Sequence, residues 1–136
     1  MPTLKTRDLF ISHAWTYNAE YHRLVGMLDA APYFHWRNYS VPEHDPLDAR
    51  STRALAAALD RQIRPANAVI VLAGMYVNHR EWLKAEIEMA DAYGKPIIGI
   101  VPWGALRVPA LIKNAAVAVV RWNTNSIVRA IRTHSI

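Results

Sequence analysis

Short, nearly unbroken apolar runs alternate along this chain with longer stretches in which apolar positions recur at helical spacing. Asp8 to Ser12 (DLFIS) is the first β-type run, and Tyr21, Leu24, Val25 and Leu28 then mark one face of a helix ending at Ala30-Ala31-Pro32. Phe34 to Arg37 reads as a second short strand. From Asn38 to Pro46 two prolines and several turn formers predict a long ordered loop. Ser51 then caps a helix carrying Leu55, Ala58, Leu59 and Ile63, which closes near Pro65. Ala68 to Ala73 is apolar on both faces and reads as a central strand. Asn78, followed three residues later by Glu81, resembles a capping box opening a helix that runs to Tyr93 and stops at Gly94. Pro96 to Val101 is a fourth strand and Pro102 to Pro109 a loop. A loop or short helix near Leu111, a fifth strand from Ala116 to Val120 and a helix from Ser126 to Arg132 complete the pattern.

Apolar inner strands alternating with amphipathic helices imply an α/β fold with a parallel sheet covered on both faces. Right-handed crossovers restrict it to a doubly wound, five-stranded form. At 136 residues and 52% hydrophobic content the chain is long enough for one such core and too short for two, so residues 1–136 read as a single domain.

Composition removes several functions. Without cysteine there is no disulfide framework, thiolate nucleophile or thiolate metal site, which fits a reducing cytoplasm. Met1 to Lys5 leads into Arg7 and Asp8 without an apolar signal core. The longest apolar run, Ala68 to Val77, reaches half of the roughly 20 residues a membrane helix needs, so no membrane partner is expected. The net charge of +5 favours anionic partners. Arg50, Arg53, Arg61 and Arg64, however, lie along one segment and Arg121, Arg129 and Arg132 in another, and no dense basic run with interleaved aromatics occurs, which reads as a solvated face rather than a nucleic-acid interface.

In a doubly wound sheet, ligands bind beyond the carboxyl ends of the strands, where strand order reverses. That selects Ser12 to Trp15, Asn38 to Pro46, Gly74 to Asn78 and Pro102 to Gly104, with the adjoining helix starts. Ser12, His13 and Trp15 offer a hydroxyl, an imidazole and an aromatic face for a ribose or base; ordinary turn chemistry is the alternative. Tyr39 and Asp45 lie in the overhanging loop, and Tyr76 lies in the segment after the third strand.

The helix from Asn78 to Tyr93 is the most informative element. At about 100° per residue, Glu81, Lys84, Glu88 and Asp91 share a solvated stripe. Trp82, Leu83, Met89, Ala90 and Tyr93 occupy the opposite apolar arc, with Ile87 at its margin and Glu86 in its middle. A carboxylate on the protein side of a helix is costly unless paired, hydrogen-bonded or opened to a cleft, and such positions attract function. A structural ion pair or a capping hydrogen bond would also account for it. Trp82 stands one turn from Glu86 and would line the same wall or pack in the core.

Missing motifs narrow the chemistry. Neither GxGxxG nor GxxxxGK[ST] occurs, so dehydrogenase and ATPase readings lack support. Ala73 and Ser12-His13 stand where a phosphoacceptor receiver of this fold would carry acids. The six histidines form no HExxH or other close ligand pair, and no Ser-His-Asp elbow is visible, so no metal is expected.

Asp8-Leu9-Phe10-Ile11-Ser12-His13, the loop after the second strand and Trp82-Leu83-Lys84-Ala85-Glu86 together resemble the first-strand box, BB loop and WxxxE motif of the TIR superfamily. The chain is most similar to the bacterial TIR-like proteins of Thoeris-type anti-phage defence. The resemblance implies a flavodoxin-like three-layer sandwich with strand order 2-1-3-4-5. It also implies that Glu86 is the catalytic glutamate cleaving the nicotinamide–ribose bond of NAD, which is consumed as substrate rather than held as a cofactor. Ser12, His13, Trp15, Tyr39, Asp45, Tyr76 and Trp82 would then bind substrate. Free, cyclised or conjugated ADP-ribose would signal to a partner effector, and self-association through TIR-type contacts is expected. His13 stands where many members carry Tyr, and His79-Arg80 where Ser is usual before the tryptophan. Two other readings stay open: a non-enzymatic assembly module, and a nucleoside deoxyribosyltransferase, which also breaks an N-glycosidic bond with a glutamate.

Overall fold

The structure is a computed structural model that describes residues 5–12, 18–39, 57, 60–72, 80–101 and 110–136. Five strands and four helices are defined among them: β1 (Thr6–Ser12), α1 (Asn18–Ala30), β2 (His35–Asn38), β3 (Ala68–Leu72), α2 (Arg80–Ala92), β4 (Ile97–Val101), α3 (Ala110–Ala115), β5 (Ala118–Arg121) and α4 (Thr124–His134). All strand pairings are parallel, in the order β2-β1-β3-β4-β5. This is the flavodoxin-like α/β arrangement that the sequence implied.

Burial follows position in the sheet. Every residue of β3 and β4 is buried, because helices cover both faces of the inner strands. The edge strands β2 and β5 are only partly covered. Leu9, Phe10 and Ile11 of β1 join Val69 to Leu72 and Ile97, Ile98 and Ile100 in the core, each at most 2% exposed.

Right-handed crossovers dictate the layers. The β1-α1-β2 unit steps one way along the sheet, whereas β3-α2-β4 and β4-α3-β5 step the other way. Helix α1 therefore lies on the face opposite α2 and α3. Helix α4 packs against α1, and α2 against α3. At β4 the backbone of Gly99 comes so near α3 that a Cβ built there would lie 2.9 Å from Ile112 Cγ2.

Several boundaries differ from the sequence expectation. The second strand starts at His35 and includes Asn38, expected in the loop, because Asn38 stands in register with Leu9 and the Tyr39 amide donates to the Leu9 carbonyl at 2.8 Å. The fifth strand starts at Ala118 rather than Ala116: the Ala116 amide is used to close α3 on the Ile112 carbonyl, also at 2.8 Å. Near Leu111, where a loop or short helix is expected, the structure has the short helix α3. The terminal helix begins earlier, at Thr124, because Asn123 caps it by accepting from the Ser126 amide at 3.0 Å. The Asn38–Pro46 loop beyond Tyr39, the Ser51 cap and the Asn78 capping box lie outside the described residues. Residues 60–63 are helical and form the described end of the helix expected before Pro65.

Candidate active site

The two ends of this sheet are chemically different. At the amino-terminal end the chain is tied down: the Asp8 amide donates to Asn67 Oδ1 at 2.7 Å, and Arg7 Nη1 donates to Ser135 Oγ at 2.7 Å. At the carboxyl end, Ser12 closes β1 in register with Val71 of β3. Crossovers leave in opposite directions from these two strands, so their ends flank the crevice at which strand order reverses.

Among the described residues, Ser12 and Glu86 are the two buried polar ones, at 0% and 1% exposure. Both belong to the set chosen from sequence. Ser12 Oγ is buried without a hydrogen-bond partner at the end of β1. Such a hydroxyl is a donor and acceptor held ready at the crevice.

Glu86 owes its position to helical periodicity. Ile87 and Ala90 are buried beside it, Ala85 and Met89 are half-buried, and Lys84, Glu88 and Asp91 face out. Lys84 Nζ stands 4.0 Å from Glu88 Oε1 on that outer stripe, a solvated pair of small energetic weight. For residues 84–91 the expected division of α2 therefore holds, with Glu86 in the covered arc. One member of that arc is misplaced: Tyr93 is 38% exposed and its hydroxyl donates to Asp60. A tyrosine in the last turn gains more from a wet hydrogen bond than from burying its hydroxyl.

Tyr39 lies just past β2, half-buried, with its amide on Leu9. Beside it, Asn38 Nδ2 donates to Tyr21 Oη at 2.6 Å, which fastens β2 to α1. Trp82 belongs to α2, one turn before Glu86, and its side chain lies outside the description. His13, Trp15, Asp45 and Tyr76 also lie outside the described residues.

Sequence reasoning passed over Glu20. It sits in the first turn of α1, at the same end of the sheet as Ser12, and its Oε2 is buried without a hydrogen-bond partner. The available signal was a carboxylate in a helix first turn, where the helix dipole favours negative charge.

Arg37, Asp60 and Arg64 are groups whose titration the fold displaces. The Arg37 guanidinium is pushed up first by its hydrogen bond to Asp8 and then by that carboxylate's charge, across a two-pronged contact at 2.6 and 3.0 Å.

A parallel sheet of this order, covered by helices on both faces, defines a flavodoxin-like α/β domain. The family model described as Thoeris protein ThsB, TIR-like domain, matches residues 10–107, and the chain belongs to that family. No curated protein is matched. No described helix is long and apolar enough to cross a membrane.

Proposed function

We propose that the chain cleaves the nicotinamide–ribose bond of NAD, with Glu86 as the carboxylate at the reacting carbon. The observation that carries this reading is the burial of Glu86, 1% exposed in the apolar arc of α2, within the WxxxE segment Trp82 to Glu86. A carboxylate is costly to cover and is expected there only where it is engaged, structurally or by substrate.

The chemistry suits one negative group. Nicotinamide leaves a cationic N-glycoside as a neutral molecule, so the acid that protonates a leaving oxygen in ordinary glycosidases is dispensable. As the C–N bond breaks, positive charge develops on the ribose. Glu86, held by the packing of α2, stabilises that charge without reorganising and accepts hydrogen bonds from ribose hydroxyls. Ser12 donates to or accepts from the bound ribose, and Tyr39, Trp82, His13, Trp15, Asp45 and Tyr76 are the residues we assign to further substrate contacts. Attack by water gives ADP-ribose, nicotinamide and a proton; attack by a nucleophile of the same molecule gives a cyclic product.

NAD is a substrate here, and the proposed reaction uses no resident cofactor. In a Thoeris setting the product is a cytoplasmic signal to a partner effector, made by self-associated copies. The test incubates concentrated protein with NAD, with and without extract of phage-infected cells, and follows nicotinamide and all ADP-ribose species by chromatography, with Glu86→Gln in parallel. Turnover by the wild type alone supports the enzyme. Silence from both proteins, with and without extract, removes the reading in favour of an assembly module.

A further inference from the structure

A second concave site lies on the other face of the sheet. The α1–β2 turn and one side of α4 enclose a groove of about 380 Å³, within the size range of small-ligand sites. Its wall includes Tyr33, Asn125, Arg129, Arg132 and Thr133, and no carboxylate lines it. Helical spacing explains the lining: Asn125, Arg129, Arg132 and Thr133 recur on one side of α4.

Three features of this wall point to an anion with an aromatic part. Arg129 and Arg132, three residues apart, repel each other unless a counter-charge is shared between them. Arg132 is already fixed, since its Nη2 donates to the Tyr33 carbonyl at 2.5 Å and its guanidinium carbon lies 5.7 Å from the Phe34 ring centroid. That bond leaves further N–H donors of the guanidinium available. Tyr33 adopts φ +57°, a left-handed conformation that non-glycine residues keep only where surrounding structure requires it. The turn so formed aims the carbonyl at Arg132 and leaves the Tyr33 side chain 78% exposed beside the arginines.

We propose that this groove binds a nucleoside phosphate, with Arg129 and Arg132 on the phosphate oxygens and the Tyr33 ring stacked on the base. Guanidinium groups match phosphate geometry with paired N–H donors, and tyrosine faces stack bases of any sequence. Asn125 and Thr133 supply neutral donors and acceptors for the sugar. Arg23 adds positive potential on the same layer, where its guanidinium carbon lies 4.8 Å from the Trp122 ring. The turn at Tyr33 precedes β2 and so lies at the amino-terminal end of the sheet. Glu86 belongs to the opposite layer, so this ligand does not compete with NAD for the crevice beyond Ser12.

The test is calorimetric titration of the full chain with AMP, adenosine, inorganic phosphate and a single-stranded oligonucleotide. AMP binds the wild type more tightly than phosphate or adenosine does. Arg129 is exposed, and Arg129→Glu weakens AMP binding by about tenfold or more, with the circular dichroism spectrum unchanged. Tyr33→Gly keeps the turn conformation, weakens AMP and leaves phosphate binding as it was. The proposal is overturned by AMP binding of equal strength in Arg129→Glu, which would place the ligand elsewhere, or by no AMP binding at millimolar concentration. Phosphate binding as tight as AMP, or an oligonucleotide bound more tightly than AMP, also overturns it.

Discussion

The hydroxyl of Tyr93 donates to the Asp60 carboxylate and so joins the turn after α2 to the helical segment that precedes β3. Arg64 completes the cluster, with Nη2 2.8 Å from Asp60 Oδ2 and 3.2 Å from Tyr93 Oη, and its guanidinium carbon 5.6 Å from the tyrosine ring centroid. The hydrogen bond from Tyr93 is the main reason that the Asp60 carboxyl sits below its ordinary value. Partial desolvation opposes it, and the hydrogen bond and charge of Arg64 add to it.

Tyr93→Phe therefore moves the Asp60 titration up toward the usual aspartate range, read by NMR of the side-chain carboxyl. The sign of the linked stability is fixed by the depressed folded value. The contribution is complete above the unfolded aspartate pKa and is lost as pH falls through the folded one. The stability difference between wild type and Tyr93→Phe thus shrinks on acidification. A difference that stays constant from neutral pH to below the aspartate range would refute the assignment.

Gly94 has φ +67° two residues past the end of α2, and the Lys95 amide reaches back to the Ala90 carbonyl at 2.8 Å. Nothing lies within 4 Å of a Cβ built there, so a side chain meets a backbone penalty and no clash. Gly94→Ala is expected to lower unfolding free energy by about 1–2 kcal/mol, the cost of a left-handed L-residue. Urea denaturation should show a lower midpoint with an unchanged m-value.

Gly99 is the opposite case. Its backbone conformation is ordinary and its problem is space: an added Cβ lies 2.9 Å from Ile112 Cγ2 and 3.7 Å from Val119 Cγ2. Gly99→Ala should cost about 1–3 kcal/mol through overpacking between β4 and α3. A double-mutant cycle with Ile112→Ala is the check, since removing the obstructing methyl makes the alanine at position 99 less costly than in the wild-type background. Additive costs would exclude the clash as the cause.

Alternating patterns made most of this fold legible. β3 and β4 announce themselves because an inner parallel strand is covered on both faces and so reads as an unbroken apolar run. The strand order followed from the resemblance and agrees with crossover handedness. What the pattern missed depends on single hydrogen bonds. Asn123 looks like a loop residue until its side chain accepts from the Ser126 amide, and Ala116 looks like strand until its amide closes α3. Angle alone places Tyr93 in the covered arc, whereas its partner Asp60 is 33 residues away in sequence. Glu86 was legible as a polar residue where the helical period demands an apolar one, and Ser12 as the residue that ends a strand at the ligand edge of the sheet. Glu20 was not, because an acidic residue in a helix first turn is ordinary, and its covered Oε2 is a tertiary effect.

The covered position of Glu86 has two explanations, and stability separates them. If its carboxylate serves mainly to hold α2 in place, removing the charge leaves a buried partner with a deficit, and stability falls by about 3–5 kcal/mol. If the carboxylate is kept for substrate, its interactions within the fold are ones a near-isosteric amide largely keeps, and stability changes little on substitution. We expect the second result: Glu86→Gln unfolds within about 1 kcal/mol of the wild type or above it, while nicotinamide release from NAD is lost. Chemical denaturation and the NAD assay on the same preparations check both halves. A variant that loses several kcal/mol along with its activity would return Glu86 to the architecture of the helix. A variant that stays stable and still cleaves NAD would place the chemistry on another residue.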